Sequence, residues 1–193
     1  MSKLLKLSAF RTIILLVILG FIFFFQVIPA RADTYTQPGI NNDISPLSIS
    51  AGGKATLTVT IYNPNSSTLT LSSSDYALAD TLPAGMYFNS PANVTNSCGG
   101  TITLIGTTIT LIGGSVPAQV ITPGKCSFSV DVTSNIIGNL VNIIPESSLA
   151  ASIGSTTLTN PTEAKSTLAV NPVSAPSLSK TFDPNTILSL IHI

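Results

Sequence analysis

A chain of 193 residues has room for one ordinary domain of about 100 to 150 residues and a short extra, which excludes multi-domain enzyme architectures. Only 8% of its residues are charged, against roughly 25% in an average soluble protein, so there is no basic patch to neutralise a row of phosphates and nucleic-acid binding is set aside. The formal net charge is zero and 44% of the residues are hydrophobic, with a dense apolar block near the start.

That block reads as an address. Lys3, Lys6 and Arg11 precede an apolar run from Ile13 to Phe25, and Ala30-Arg31-Ala32 places small residues three and one before a cut ahead of Asp33. This is the pattern of a cleavable secretory signal peptide, residues 1–32, with Ala30, Ala32 and Asp33 as the cleavage signature. The apolar stretch falls short of the roughly 18 to 20 residues that span a bilayer, so no transmembrane segment is expected in the mature chain. Cleavage leaves 161 residues with four basic and eight acidic side chains, a net charge of −4. The product is expected outside the cell or on its surface, and a chain of this length can build a full core without metal.

Residues 33–43 read as a lead-in. Ala55 to Tyr62 then alternates, with Leu57, Val59 and Ile61 on one face and Thr56, Thr58 and Thr60 on the other, the period of a half-buried strand. Cys126 to Thr133 repeats the pattern, with Cys126, Phe128, Val130 and Val132 inward and Ser127, Ser129, Asp131 and Thr133 outward. Shorter runs are Thr68 to Leu71, Thr101 to Leu104, Thr108 to Ile112, Leu140 to Ile144 and Ser166 to Val170. Turn signals separate them: Gly52-Gly53, Asn63-Pro64-Asn65, Pro83-Ala84-Gly85, Gly99-Gly100, Gly113-Gly114 and Pro123-Gly124. No window has helical spacing with a cap. About seven short strands, each apolar on one face, must bury that face against a second sheet, so the fold predicted for 44–170 is all-β, an Ig-like antiparallel β-sandwich.

Asn171-Pro172-Val173-Ser174-Ala175-Pro176-Ser177 reads as a semi-rigid linker over 171–177. Beyond it, Thr181-Phe182-Asp183-Pro184-Asn185-Thr186-Ile187 echoes Asp43-Ile44-Ser45-Pro46-Leu47-Ser48-Ile49, so 178–193 is expected to be the truncated start of a second repeat.

Several segments together resemble a known family: Gly52-Gly53 ahead of the alternating strand, Tyr62-Asn63-Pro64-Asn65, Asp80-Thr81-Leu82-Pro83-Ala84-Gly85-Met86, Cys98-Gly99-Gly100-Thr101, Cys126 to Ser134, and Asn142-Ile143-Ile144-Pro145. In order and spacing they are similar to the conserved-repeat modules of large secreted bacterial proteins, of the domain-of-unknown-function-eleven type. The resemblance runs from about Ile44 to Val170 and restarts at Pro176. It implies an Ig-like sandwich strung in surface arrays, with no established catalysis and no agreed ligand. After Ile187 such a repeat would continue into a Gly-Gly turn and a strand. Instead, Leu188 to Ile193 resembles translated adapter sequence at the edge of a gene fragment.

Cys98 and Cys126 are the only cysteines, and an even count in an exported chain points to a structural disulfide. The functional alternative, a reactive or metal-binding thiol, has no His partner near either cysteine. Leu82-Pro83-Ala84-Gly85 brushes against the Leu-Pro-x-Thr-Gly sorting signal but lacks its Thr and reads as a loop. Asn65-Ser66-Ser67 and Asn93-Val94-Thr95 match the glycosylation acceptor pattern and read as polar loops.

Catalysis finds little material: the single histidine, His192, lies in the terminal hexapeptide. No sequence evidence sets Asp75 and Asp80 face to face as paired carboxylates, nothing like an EF-hand loop supports Asp43, Asp80 and Asp131 as a Ca²⁺ site, and no spacing supports a Lys-Asn crosslink at Lys54, Lys125 or Lys165. The chain is expected to be no enzyme and to use no cofactor or metal. The leading expectation is a structural spacer whose partners are neighbouring repeats. The alternative is an adhesin-like module gripping cell-surface glycan or protein through the Asp75 to Tyr87 loop, with Tyr76 and Tyr87 as stacking groups.

Overall fold

The computed structural model describes residues 34–181. The expected signal segment with Ala30, Ala32 and Asp33, and the expected second repeat from Phe182 onward, including His192, lie outside the described residues. Fifteen strands follow one another, and no helix occurs among the described residues. They are β1 (Gly39–Ser45), β2 (Ser48–Ser50), β3 (Lys54–Asn63), β4 (Leu69–Leu71), β5 (Leu78–Thr81), β6 (Tyr87–Phe88), β7 (Thr95–Asn96) and β8 (Thr101–Ile105). Then come β9 (Thr108–Ile112), β10 (Ser115–Val116), β11 (Gly124–Thr133), β12 (Gly138–Ile144), β13 (Ala151–Ile153), β14 (Thr156–Leu158) and β15 (Ala164–Asn171).

The two ten-residue strands form the spine. β3 pairs antiparallel with β11 along their whole length, from Gly124 opposite Asn63 to Thr133 opposite Lys54, and with β1 on its other side. The predicted alternation is what drives this: Ala55, Leu57, Val59 and Ile61 of β3 and Cys126, Phe128, Val130 and Val132 of β11 are all buried. Directly opposed residues of an antiparallel pair share a face, so the register stacks these apolar rows side by side. β6 and β7 extend the sheet beyond β11. Three further sheets, β10-β4-β13-β14, β12-β15-β2 and β5-β9-β8, supply the rest of the core. Ile44, Leu69, Leu71, Leu78, Ile109, Leu111, Ile144, Leu149 and Leu168 all join one buried cluster with the spine residues. This is the all-β sandwich class that the sequence predicts.

Three details differ. The strand number is about double the seven expected, because the additional elements, β6, β7, β10 and β13 among them, are too short to display a period. β2 runs parallel to β15, Ser48 to Ser50 alongside Ala169 to Asn171, while the other pairings are antiparallel. The Asp75 to Tyr87 segment, expected as a loop, contains β5 and buries Ala77, Leu78, Asp80, Leu82 and Met86.

Glycine matters most at two turns. Pro83-Ala84-Gly85-Met86 closes through a 3.0 Å bond from the Met86 N–H to the Pro83 carbonyl, with Gly85 at φ +88° in the position where a type II turn demands a left-handed residue. At Gly100, φ is +68° and an added Cβ would fall 2.4 Å from the Ile112 carbonyl oxygen, so any side chain would push β8 off β9.

Candidate functional site

The disulfide is formed. Cys98 and Cys126 have Cα atoms 4.8 Å apart, and both side chains are buried. Strand register explains the pairing: Asn96 lies opposite Phe128 in the β7–β11 ladder, and two further residues along each chain bring Cys98 to Cys126. Ser97 and Ser127 bond between them, Ser97 N–H to Ser127 O at 2.8 Å and Ser127 N–H to Ser97 Oγ at 2.8 Å.

On the outer face of β11, Asp131 is not the solvated residue that alternation predicts: it is 4% exposed. The Asn89–Asn93 segment runs beside it, with Asn89 N–H donating to Asp131 O and Asp131 N–H to Ala92 O. Its carboxylate accepts from Asn93 Nδ2 at 2.6 Å, Thr56 Oγ1 at 2.7 Å and Lys54 Nζ at 3.0 Å. The Asn93 amide foremost, then the Thr56 hydroxyl and Lys54, hold the carboxyl below the usual carboxylate range against the opposing pull of desolvation. Lys54, Asn93 and Asp131 are the residue types a Lys-Asn crosslink would use. Such a reaction requires an unprotonated amine and a protonated carboxyl, whereas Lys54 is 54% exposed and Asp131 is held ionised. The trio is an ion-pair network. Lys165 pairs with Glu163 at 3.1 Å on the surface, and Lys125 is exposed.

Asp80, by contrast, points into the core and is 2% exposed. Burial pushes its carboxyl up to about 6, opposed by a hydrogen bond from Asn142 Nδ2 at 2.8 Å. Asp75 is exposed and does not face it. Asp43 is exposed on β1, so Asp43, Asp80 and Asp131 do not meet, and among the described residues no group of three His, Cys, Asp or Glu side chains could hold a metal. Sequence reading missed the partners of Asp80. Asn42, Asn142 and Ser166 lie at inward positions of β1, β12 and β15, and the legible signal was a polar residue where the alternation calls for an apolar one.

Tyr76 and Tyr87 are 50% and 38% exposed. They do not share a ladder: Tyr76 precedes β5 where it begins to pair with Leu111, and Tyr87 lies opposite Thr133 with its hydroxyl accepting from Asn135 Nδ2 at 2.6 Å. An open groove of about 350 Å³ is lined by Thr70, Ser72, Ser73, Ser74, Ser152 and Thr157 among others, and Tyr76 does not line it. The acceptor amides of both glycosylation patterns are engaged, Asn65 Nδ2 with Thr36 O at 2.8 Å and Asn93 Nδ2 with Asp131.

The chain's path completes the geometry. Thr36 N–H bonds Asn65 Oδ1 at 2.7 Å, and β1 begins opposite Tyr62, so the chain comes in beside the far end of β3. It leaves at Asn171, whose carbonyl accepts from Ala51 N–H at 2.8 Å, beside the Lys54 end. A ten-residue strand separates the two points, about 30 Å at the usual rise.

These features define a disulfide-pinned β-sandwich module that the chain traverses from pole to pole. The model of a family described as a domain of unknown function, DUF7933, matches residues 38–170, and the chain belongs to that family. No curated protein matches it. Among solved structures it is similar to a non-cellulosomal cohesin from the archaeon Archaeoglobus fulgidus, at 15% identity and TM-score 0.46 over 72% of this chain and 93% of that one. A cohesin module from a Clostridium perfringens family 33 glycoside hydrolase gives 11% identity and TM-score 0.46 over 72% and 99%. The collagen-binding domain of a Staphylococcus aureus adhesin gives 14% and 0.38 over 70% and 99%. At such identities the likeness concerns the fold. No helix among the described residues is long and apolar enough to cross a membrane.

Proposed function

We propose that this chain is a non-enzymatic structural module of a bacterial surface or secreted protein, related to the conserved-repeat modules and serving as a spacer between neighbouring repeats. The observation that carries the reading is the path of the chain, in at the Asn63 end of β3 and out at the Lys54 end. A module that takes in and releases the chain at opposite poles adds its own length to an array, whereas one with adjacent termini adds almost none. The buried disulfide supports export, because such bridges persist in oxidising compartments, and the sequence of residues 1–32 supplies the route. Solubility then rests on Ser and Thr hydroxyls on outer faces, together with a small negative charge.

A second reading rests on the hydroxyl-lined groove, whose lining includes Ser74, and on the exposed Tyr76 two residues further along the chain. A row of hydroxyls suits a glycan or an extended peptide, and this would make the module adhesin-like. Screening the exported chain against glycan and host-protein arrays separates the two. The spacer reading expects no saturable binding. Saturable binding that is lost in Tyr76→Ala replaces it with the adhesin reading.

A further inference from the structure

Four strands each interrupt an inward apolar row at one position. Asn42 stands between Ile40 and Ile44, Asp80 between Leu78 and Leu82, Asn142 between Leu140 and Ile144, and Ser166 between Ala164 and Leu168. The fold brings the four together. Asn142 Nδ2 donates to Asp80 Oδ2 at 2.8 Å, Asn42 Nδ2 donates to the Asn142 backbone carbonyl at 3.3 Å, and Ser166 lies directly opposite Asn142 in the β12–β15 ladder. Asn42, Asp80 and Asn142 are 5%, 2% and 0% exposed.

Their remaining atoms are orphaned. Asn42 Oδ1, Asp80 Oδ1, Asn142 Oδ1 and Ser166 Oγ are the buried side-chain polar atoms without a hydrogen-bond partner among the described residues, and all four are oxygens of this one cluster. The two amides cannot simply be turned over, because each nitrogen already donates. Three of the four oxygens only accept, and leaving such groups buried and unpaired costs about 1–3 kcal/mol each. A proton on Asp80 Oδ1 would make that oxygen a donor to one amide oxygen and leave the other to the Ser166 hydroxyl, which pairs the acceptors only by giving up the carboxylate charge. A water molecule would donate twice and leave the carboxylate charge without compensation. A hard cation supplies the missing positive charge and takes oxygen ligands of these kinds, carboxylate, amide carbonyl and hydroxyl.

We propose that Asn42, Asp80, Asn142 and Ser166 form an internal site for a hard cation, Ca²⁺ or Na⁺, bound between β1, β5, β12 and β15. One carboxylate among neutral oxygens places Ca²⁺ affinity in the weak class of extracellular modules, on the order of 10⁻⁴–10⁻³ M. The ion ties strands from three sheets, so it stiffens the module as well as stabilising it.

The test uses the exported chain at pH 7.5 in choline chloride with EDTA, then titrated separately with CaCl₂ to millimolar excess and with NaCl. Thermal unfolding is expected to shift upward saturably by about 3 to 10 °C with at least one ion, and the two arms identify which. Asp80→Asn keeps the shape and removes the charge. It is expected to lose the shift while unfolding no earlier than wild type in EDTA. Calorimetric titration of the wild-type chain reads the same site directly as one ion per chain, which decides the matter should the variant not fold. A wild-type midpoint unmoved by both ions, or an equal shift in Asp80→Asn, overturns the proposal.

Discussion

Cys98 and Cys126 bridge two positions that the β7–β11 register already sets face to face, so the covalent bond extends a ladder instead of stitching distant parts. It closes a separation of 28 residues, and on the chain-entropy model such a loop restricts the unfolded state by about 3 to 4 kcal/mol. The Cys98→Ser/Cys126→Ser double variant is therefore expected to lose about 2 to 5 kcal/mol in urea unfolding. An unchanged urea midpoint would show that the bridge constrains nothing the ladder does not. The oxidised chain, unfolded without reductant, is expected to show no titratable thiol.

Asp131 sets the acid sensitivity of the spine. Its carboxyl is held below the usual range when folded, so the folded state releases this proton more readily than the unfolded one. The resulting stabilisation is complete above the ordinary carboxylate pKa and fades as pH falls through the lower folded value. Asp131→Asn is expected to cost about 1 to 2 kcal/mol at pH 7, most of it from the Asn93 and Thr56 bonds, since the half-exposed Lys54 contributes little. Between pH 4 and 2 the difference between variant and wild type should shrink in thermal unfolding. A constant difference across that range would remove Asp131 from the account.

Asn63, fully buried at the end of β3, joins three segments: its Nδ2 donates to Ser67 O at 2.8 Å and Pro117 O at 2.9 Å, and its Oδ1 accepts from Asn65 N–H at 3.1 Å. Asn63→Ala strands those backbone groups, and a loss of about 2 to 4 kcal/mol is expected. Hydrogen exchange should quicken first around residues 64–68 and 117–119. A loss spread evenly over the molecule would contradict this local role.

How much was legible in the sequence followed from strand length. β3 and β11 could be read because ten residues show five full alternations, and Phe128 was assigned inward on that basis. Phe128→Ala is expected to cost about 3 to 5 kcal/mol, while Thr58→Ala on the opposite face should cost less than about 1. β6, β7 and β10 hold two residues each, too few to show any period. β1 escaped for a different reason: Asn42 occupies the middle of its inward row and hides the alternation of Ile40 and Ile44. Periodicity assigns Asp131 to the outward face but does not report the Asn93, Thr56 and Lys54 side chains that bond its carboxylate there. The polar interruptions at Asn42, Asn142 and Ser166 were visible one by one, but that they partner Asp80 was not, because their strands are far apart in sequence and only the folded register aligns them.

The reading of the chain as a link that adds length is tested most directly by a distance. Spin labels carried by noncanonical residues at Thr36 and Val173, both exposed and both outside the core, report the separation of the two ends by pulsed electron resonance. A distribution centred at about 30 Å or beyond, the span of β3, is the predicted result. A centre below about 15 Å would place both ends at one pole and contradict the spacer account.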